Sequence, residues 1–359
     1  MKMAAEEGIA RVKVVGVGGG GSNAVARMSK DKLFGVTYMC INTDAQALAR
    51  NGAPGIRIGD QLTRGLGVGG DPEKGRQAAE ESREELAESL KDADMVFIAA
   101  GEGGGTGTGA APVVAELARN QGALTVAVVT RPFEWEGAMR RKRAEEGIGR
   151  LREKVDAILV IPNDALLSVC DRKVTISNAF KMADEVLGRS IEAIAEIIAI
   201  PGEINLDFAD VRTVLSNAGT AVIGIGIGQG DTRAADAARA AIANPLLDAG
   251  IEGAKGVLWN ITGPADLTMT EVHAAADIIR QAVDADANIF FGMNIDPSME
   301  NGVRVTLIGA GFPMKEAPVT PIEEARARVI KSSPVNHATA EANLDIPPFL
   351  RRHAIPTGS

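Results

Sequence analysis

The first half of the chain alternates short β-branched runs with stretches that have helical periodicity. Strands separated by helices are typical of right-handed crossover connections, which place the strands parallel in a sheet that is buried on both faces. The pattern therefore predicts an α/β fold with a parallel sheet. The runs lie at residues 11–18, 35–44, 93–101, 123–132 and 157–164.

A long helical pattern then separates this part from the next. Residues 176–200 keep apolar side chains at helical spacing until the Pro-Gly pair that follows them. A helix of this length can connect two domains. Four further β-branched runs, interrupted by helical patterns, predict a second, smaller domain of mixed α/β type; they lie at 221–228, 256–263, 287–295 and 303–312.

The composition changes again after Phe312, where periodic apolar residues give way to Pro, Ser and Asn. This change is typical of a disordered linker, and a short apolar segment, LDIPPFLRR, follows it. The predicted organisation is a flexible N-terminus (1–10), a first domain (11–175), a central helix (176–200), a second domain (201–312), a linker (313–343) and a C-terminal peptide (344–359).

Composition limits the partners of the chain. Its 359 residues are 45% hydrophobic, which is enough for a large core, and its net charge of −9 argues against nucleic acid as a partner. Cys40 and Cys170 lie in apolar runs without metal-binding spacing, so we expect reduced core thiols. We find neither a signal-peptide core nor an apolar run of about 20 residues, and expect a cytoplasmic protein without direct membrane insertion.

The first predicted strand leads into a glycine-rich loop. Gly16, Gly18 and Gly21 match the pattern G-x-G-x-x-G at the start of a predicted helix, and Asp44 follows about 20 residues later. These features are typical of dinucleotide binding. An NAD-dependent oxidoreductase is therefore one hypothesis.

Two more glycine-rich loops favour a nucleoside triphosphate instead. GEGGGTGTGAAP (101–112) follows a later strand, and TRGLGVGGDPEKG (63–75) leads into a helix through Asp71 as N-cap and Pro72 as first helical residue. We expect all three loops at strand-to-helix junctions on the carboxyl edge of one sheet. Their backbone N–H groups can bind phosphates, and no Walker motif supplies a lysine, so Mg²⁺ would balance the remaining charge.

Four short motifs occur along the chain: NTDAQAL (42–48), GGGTGTG (103–109), RPFEWEG (131–137) and NLDFADV (205–211). In this order they resemble the FtsZ family of bacterial, tubulin-like cell-division GTPases. The resemblance covers 9–312 and returns at LDIPPFLRR, which is similar to the family's adaptor-binding peptide. It implies a tubulin-like, Rossmann-type GTPase domain, a central helix and a smaller α/β domain that activates hydrolysis. It also implies head-to-tail filaments that form the cytokinetic ring at mid-cell.

The resemblance also implies which residues bind GTP or GDP, with Mg²⁺ held mainly by phosphates and water and no metal-ligating side chain. In the family, the first two loops hold phosphates, the third senses the γ-phosphate through backbone N–H groups, and further residues contact ribose and guanine. These positions are Gly19, Gly20, Gly21, Ser22 and Asn23 in the first loop; Gly105, Thr106 and Gly107 in the second; Val68, Gly69 and Gly70 in the third; Glu136 and Arg140 for ribose; and Asn163, Phe180 and Asp184 for guanine.

Phe180 and Asp184 are four residues apart on the predicted central helix, so both project from one face and could contact a single base. A carboxylate that accepts hydrogen bonds from guanine N1–H and the 2-amino group would explain a preference for GTP over ATP. Without the resemblance, a core phenylalanine and a solvated aspartate would be the simpler interpretation.

The motif NLDFADV carries the candidate catalytic residues. Asp207 and Asp210 are three apart and can approach one water from the same side, and we expect Asn205 to cap the following helix. The resemblance implies that these residues act on the GTP of the next subunit. The alternative is a helix start at which acids complement the dipole. A non-hydrolysing tubulin-like scaffold would then be the function.

Two positions depart from the family pattern. Glu102 and Glu203 stand where the family usually carries apolar residues, and an acid beside a phosphate loop is expected to weaken nucleotide affinity or to alter the Mg²⁺ dependence. The C-terminal peptide is expected to bind a membrane-tethered division adaptor through Ile346, Phe349, Leu350, Arg351 and Arg352.

Overall fold

The computed structural model describes residues 10–30, 33–169, 174–200, 202–244 and 250–312. Within these ranges the chain forms one continuous ten-stranded sheet flanked by helices. The strands are β1 (Val12–Val17), β2 (Val36–Asn42), β3 (Gly55–Arg57), β4 (Met95–Gly101), β5 (Leu124–Arg131), β6 (Ala157–Pro162), β7 (Gly219–Gln229), β8 (Gly256–Gly263), β9 (Asn288–Ile295) and β10 (Gly302–Ala310).

The helices lie between these strands along the chain, singly or, for α3–α5 and α8–α10, three in succession. They are α1 (Gly18–Met28), α2 (Ala45–Asn51), α3 (Asp60–Thr63), α4 (Pro72–Glu81), α5 (Arg83–Leu90), α6 (Thr106–Asn120), α7 (Ala138–Arg152), α8 (Asn163–Val169), α9 (Ile176–Ala199), α10 (Phe208–Leu215), α11 (Arg233–Ile242) and α12 (Met269–Ala282).

The first six strands confirm the predicted parallel sheet. Their order is β3-β2-β1-β4-β5-β6, and every neighbouring pair is parallel. The five β-branched runs of the first half become β1, β2, β4, β5 and β6. The edge strand β3 was not predicted, because three residues are too few to show a pattern.

The four predicted strands of the second half are present as β7 to β10, and they form the mixed part of the sheet. β10 lies antiparallel between β7 and β8, and β8 pairs with β9 in parallel. Two residue pairs, Ala157–Gly219 and Ile158–Thr220, join β6 to β7. The boundaries proposed between the two domains stay a prediction.

Helix α9 is the predicted central helix and begins and ends within one residue of the expected bounds. Thr175 caps its start by accepting a hydrogen bond from Asn178 N at 3.3 Å. Its buried residues Leu187, Ile191 and Ile194 belong to a cluster that includes side chains of both sheets. The helix stops at Ile200, whose extended backbone fits the steric preference of a residue before proline.

The prediction for Cys40 is confirmed, because it is a free and fully buried thiol. Cys170, the linker and the C-terminal peptide lie outside the described residues, as does the N-terminus up to residue 9. In the ranges that the structure describes, no helix is both long and apolar enough to cross a membrane.

Candidate functional site

A cleft of about 540 Å³ lies at the carboxyl ends of β1, β2 and β4. Clefts outside the carboxyl ends of parallel strands are the usual ligand sites of such sheets. All of the predicted nucleotide-binding residues line it except Gly21 and Ser22. The lining set is Gly19, Gly20, Asn23, Val68, Gly69, Gly70, Gly105, Thr106, Gly107, Glu136, Arg140, Asn163, Phe180 and Asp184.

The first loop is the abrupt junction between β1 and α1. Helix α1 begins at Gly18, directly after the strand, and its N-cap Val17 offers no side-chain acceptor. The first N–H groups of α1 therefore remain available to an anion. Gly21 and Ser22 face inward: a β-carbon on Gly21 would contact Ala99 O, and Ser22 Oγ donates to Gly16 O at 3.3 Å.

The second loop ends at α6, which begins at Thr106 after an N-cap, Gly105, that also lacks a side-chain acceptor. Gly103 has a φ of 90° and donates its N–H to Thr108 Oγ1 at 2.8 Å. The hydroxyls of Thr43 and Thr106 are hydrogen-bonded at 2.7 Å. These hydrogen bonds fix the loop, and the N–H groups at the start of α6 remain available on the side of the cleft.

The third loop corrects one expectation. It connects α3 to α4, and is therefore a helix-to-helix connection rather than a strand-to-helix junction. The four-residue helix α3 is too short to be read from periodicity. Gly67, Gly69 and Gly70 adopt positive φ angles of 79°, 60° and 77°, which favour glycine. The predicted start of α4 is confirmed, with Asp71 as N-cap and Pro72 in the first turn.

The far end of the cleft carries an aromatic and acidic group. The ring of Phe180 lies edge-on to Phe133 and Trp135 at 5.6 and 5.7 Å. Asp184 lies one turn further along α9, and burial raises the pKa of its carboxyl to about 6, although Arg27 offsets part of this effect. In the described part of the chain, the buried Oδ1 of Asn163 has no hydrogen-bond partner. A ligand that donates hydrogen bonds would satisfy both side chains.

Glu136 and Arg140 lie between the phosphate loops and this end. Arg140 Nε lies 3.1 Å from Glu136 Oε2, and Glu136 Oε1 accepts from Phe133 N at 2.9 Å. The pair is therefore held in place by the loop that precedes α7.

Several cleft residues were not predicted as site residues. Asn42, Thr43, Thr130 and Pro132 also line the cleft. The sequence feature that could have identified them is their position at the carboxyl ends of β2 and β5. Asp44, which follows the G-x-G-x-x-G pattern by about 20 residues, also lines the cleft, and it caps α2 by accepting from Gln46 N at 2.8 Å and Ala47 N at 3.0 Å.

The predicted catalytic residues lie elsewhere. Asp207, rather than Asn205, caps α10, so the expectation that Asn205 caps this helix is wrong; Asn205 Oδ1 accepts from Gly202 N at 2.6 Å instead. Asp210 N donates to Asp207 Oδ1 at 2.8 Å, and Asp207 N donates to Asp210 Oδ2 at 3.2 Å. This reciprocal capping box was not predicted, and it fits the alternative interpretation of the motif as a helix start at which acids complement the dipole. None of the three predicted catalytic residues lines the cleft.

Helix α10 lies near the amino end of β4, where Arg212 Nη2 donates to Asp94 O at 3.4 Å. The cleft is at the carboxyl end of the same strand, next to Gly101. The acidic loop and the cleft are therefore at opposite ends of the sheet.

Comparisons with known proteins agree with this geometry. The model of the Tubulin/FtsZ family GTPase domain matches residues 11–171, and that of the FtsZ family C-terminal domain matches 219–313. An empty FtsZ dimer from M. jannaschii is 46% identical with a TM-score of 0.81, over 86% of this chain and 90% of that chain. A point mutant of the M. jannaschii protein is 46% identical with a TM-score of 0.80, over 85% and 92%.

A more distant structure shares the fold. The protofilament of CetZ2 from Haloferax volcanii with bound GTPγS is 23% identical with a TM-score of 0.72, over 89% of this chain and 99% of that chain. The matches to the GTPase domain set aside the oxidoreductase and the non-hydrolysing scaffold. The chain belongs to the FtsZ family and is a tubulin-like GTPase of cell division.

Proposed function

We propose that the chain hydrolyses GTP at the junctions of a head-to-tail filament, where Asp207 and Asp210 of one subunit act on the nucleotide in the cleft of the next. The observation that carries this proposal is the separation of the acidic loop from the cleft within one chain. At about 1.5 Å per residue, α9 extends roughly 22 Å from Asp184 to its end. An aspartate side chain beyond that end cannot reach its own cleft.

Two parts of the cleft support binding of GTP or GDP: the loops that offer backbone N–H groups and the end that carries Phe180, Asp184 and Asn163. The uncapped starts of α1 and α6 offer backbone N–H groups and positive helix-dipole ends to the α- and β-phosphates. The third loop, at residues 68–70, would contact the γ-phosphate. Phe180, Asp184 and Asn163 would contact guanine, because Asp184 and Asn163 Oδ1 line the cleft and can accept hydrogen bonds from the N1–H and the 2-amino group of this base.

The capping box is compatible with a catalytic role. It uses one oxygen of each carboxylate, so the second oxygen of Asp207 and of Asp210 can accept a hydrogen bond from an attacking water. Two carboxylates that are fixed in this way can orient and polarise that water without reorganising.

We also propose that Mg²⁺ accompanies the nucleotide. In the residues that the structure describes, no cluster of three or more His, Cys, Asp or Glu side chains could hold a metal ion. The coordination that fits this site is phosphate oxygens and water, which Mg²⁺ commonly retains.

Adaptor binding by Ile346, Phe349, Leu350, Arg351 and Arg352 is proposed from the sequence, since these residues lie outside the described ranges. We place the protein in the cytoplasm, at the mid-cell ring. Deletion of 344–359 should abolish adaptor binding and leave GTP hydrolysis intact, whereas loss of hydrolysis would contradict the proposed separation of functions.

The substitution Asp210→Asn tests the proposed catalytic role against a purely structural one. An asparagine oxygen can still accept from Asp207 N, so the capping box and the melting temperature should be retained. GTP hydrolysis should fall by about a hundredfold or more, as expected for loss of a group that activates water. Unchanged hydrolysis in a stably folded variant would show that Asp210 only caps α10.

A further inference from the structure

Glu102 is a buried carboxyl group at the base of the second phosphate loop. It follows the last residue of β4, and it is 2% exposed. Within the described residues, neither of its carboxylate oxygens accepts a hydrogen bond of good geometry, although the Thr108 hydroxyl lies close enough to lower the pKa of the carboxyl group. Its N–H donates to Thr130 O at 3.0 Å, and the N–H of the next residue, Gly103, is bound to Thr108. The backbone on both sides of the side chain is therefore fixed.

Helix α7 provides the space for this side chain. A β-carbon on Gly147 would contact both Glu102 Oε2 and Thr108 Cγ2. Glycine within a helix is destabilising relative to alanine. Its presence here is explained by the volume that the carboxyl group occupies between α6 and α7.

Few charges act on this group from the elements around it. Helix α6 contributes only the Thr108 hydroxyl, and α7 contributes Arg150, which is exposed to solvent. On β5, Arg131 lies 2.8 Å from Glu145 of α7. Behind α6, Glu73 and Arg76 of α4 lie 2.7 Å apart and neutralise each other. The Glu102 carboxyl group is therefore not paired with a cation in the described structure.

A charged Glu102 would oppose nucleotide binding. The N–H groups proposed to bind phosphates begin three residues after it, at Gly105 to Gly107. Water screens a buried carboxylate poorly, so its repulsion of phosphates is stronger than that of an exposed acid. A neutral carboxylic acid at the same place exerts no such repulsion.

We propose that Glu102 is a proton-binding positioning residue of the nucleotide site, which supports binding when neutral and weakens it when ionised. This inference rests on the proposed binding of GTP in the cleft. The proton comes from solvent, converts the carboxylate to the acid when nucleotide binds, and returns to solvent when nucleotide leaves.

The relevant pH range follows from the burial of the group. Desolvation raises the pKa of Glu102 to about 7, while Thr108 and Arg150 offset only part of this effect. Bound phosphates should raise this pKa further. By linkage, each unit of additional pKa shift weakens nucleotide binding by about tenfold at a pH above the Glu102 pKa of both the free and the nucleotide-bound protein.

The test compares GDP affinity of the full chain and of Glu102→Gln from about pH 6 to about pH 8.5. Gln has nearly the same volume and no charge, and GDP avoids turnover. We expect equal dissociation constants near pH 6 and a value at least about tenfold higher for the unmodified chain near pH 8.5. The phosphates and the other protein groups titrate in both proteins, so the comparison with Glu102→Gln isolates the contribution of Glu102. A constant ratio across this range would overturn the proposal.

Two further measurements give independent readouts. Calorimetry near pH 7.5, in buffers of different ionisation enthalpy, should show proton uptake on GDP binding that is larger for the unmodified chain than for Glu102→Gln. Arg150→Gln should move the midpoint of the pH profile upward, because the attraction that lowers the Glu102 pKa is removed. Equal proton uptake, or an unmoved midpoint, would contradict the proposal.

The outcomes separate this inference from the nucleotide site on which it rests. If both proteins bind GDP with parallel pH profiles, the cleft is a nucleotide site and the role of Glu102 is wrong. If neither binds guanine nucleotide at any pH, both proposals fail. Should Glu102→Gln not fold, Glu102→Met provides a second neutral side chain of similar volume for the same comparison.

Discussion

The guanidinium of Arg27 lies 3.3 Å from the carboxylate of Asp184 and so links α1, which starts at the phosphate loop, to the base end of the cleft on α9. Arg27 also reaches Glu185, at 3.6 Å. Asp184 is mostly buried, whereas Glu185 is half-exposed and does not line the cleft. The two neighbouring acids therefore differ in their access to the cleft, since Asp184 lines it and Glu185 does not.

Guanine affinity should fall as the pH drops through about 6. Burial raises the pKa of Asp184 to about 6, and only the ionised carboxylate accepts hydrogen bonds from both guanine donors. Asp184→Asn should lose this pH dependence and prefer XTP to GTP, since an amide can donate to the 2-oxo group of xanthine. Competition binding at several pH values measures both effects, with Glu185→Gln as the matched control. A GTP preference retained by Asp184→Asn would remove Asp184 from the base site.

Glu102→Gln should stabilise the nucleotide-free chain at alkaline pH. The folded-state pKa of Glu102 is raised from 4.5 to about 7, so the folded state binds the proton more tightly than the unfolded chain. The free energy of unfolding therefore decreases as the pH rises from 4.5 through about 7. The total decrease is about 3 kcal/mol once Glu102 is ionised in the folded state. The melting temperatures of both proteins near pH 5 and pH 8 test this, and an equal difference at both pH values would show that ionisation of Glu102 is not the cause.

Substitutions at two glycines of the first loop should have different effects, one on nucleotide binding and the other on the stability of the fold. A β-carbon on Gly19 meets no atom within 4 Å, so Gly19→Ala should fold normally. It should bind GTP about tenfold more weakly, because a displaced phosphate hydrogen bond contributes on the order of 1.5 kcal/mol. Gly21→Ala, whose β-carbon would contact Ala99 O, should instead lower the melting temperature. Titration calorimetry and thermal melts distinguish the two, and a destabilised Gly19→Ala would show that the loop is packed more tightly than described.

Two inactive variants should complement each other if the active site is shared between subunits. Asp210→Asn retains an intact cleft, and Gly19→Leu fills the cleft but retains the acidic loop. A mixture should recover part of the GTP hydrolysis that neither shows alone, provided that co-sedimentation confirms that both enter the filament. Specific activity of the unmodified chain should also rise with protein concentration. An inactive mixed filament, together with concentration-independent activity, would assign hydrolysis to single chains.

The sequence by itself determined the parallel part of the sheet, the α/β type of the second half and the central helix. Apolar alternation and helical periodicity are local properties, so β1, β4 and α9 could be located within a few residues. The phosphate loops were equally visible, since glycine runs and the Asp71–Pro72 helix start depend on backbone chemistry rather than on distant neighbours.

Only the tertiary structure decided what depends on contacts between distant segments. It placed the third loop between two helices, made Asp207 rather than Asn205 the cap of α10, and brought Thr43 to Thr106. It also put the acidic loop and the cleft at opposite ends of the sheet. The burial of Glu102 could not be predicted either. The space at Gly147 that admits its carboxyl group forms only when α6 and α7 pack together, and in the described part of the chain this packing brings no cation into a pair with it. Desolvation is set by such packing, and packing joins residues whose separation in the sequence carries no periodic signal.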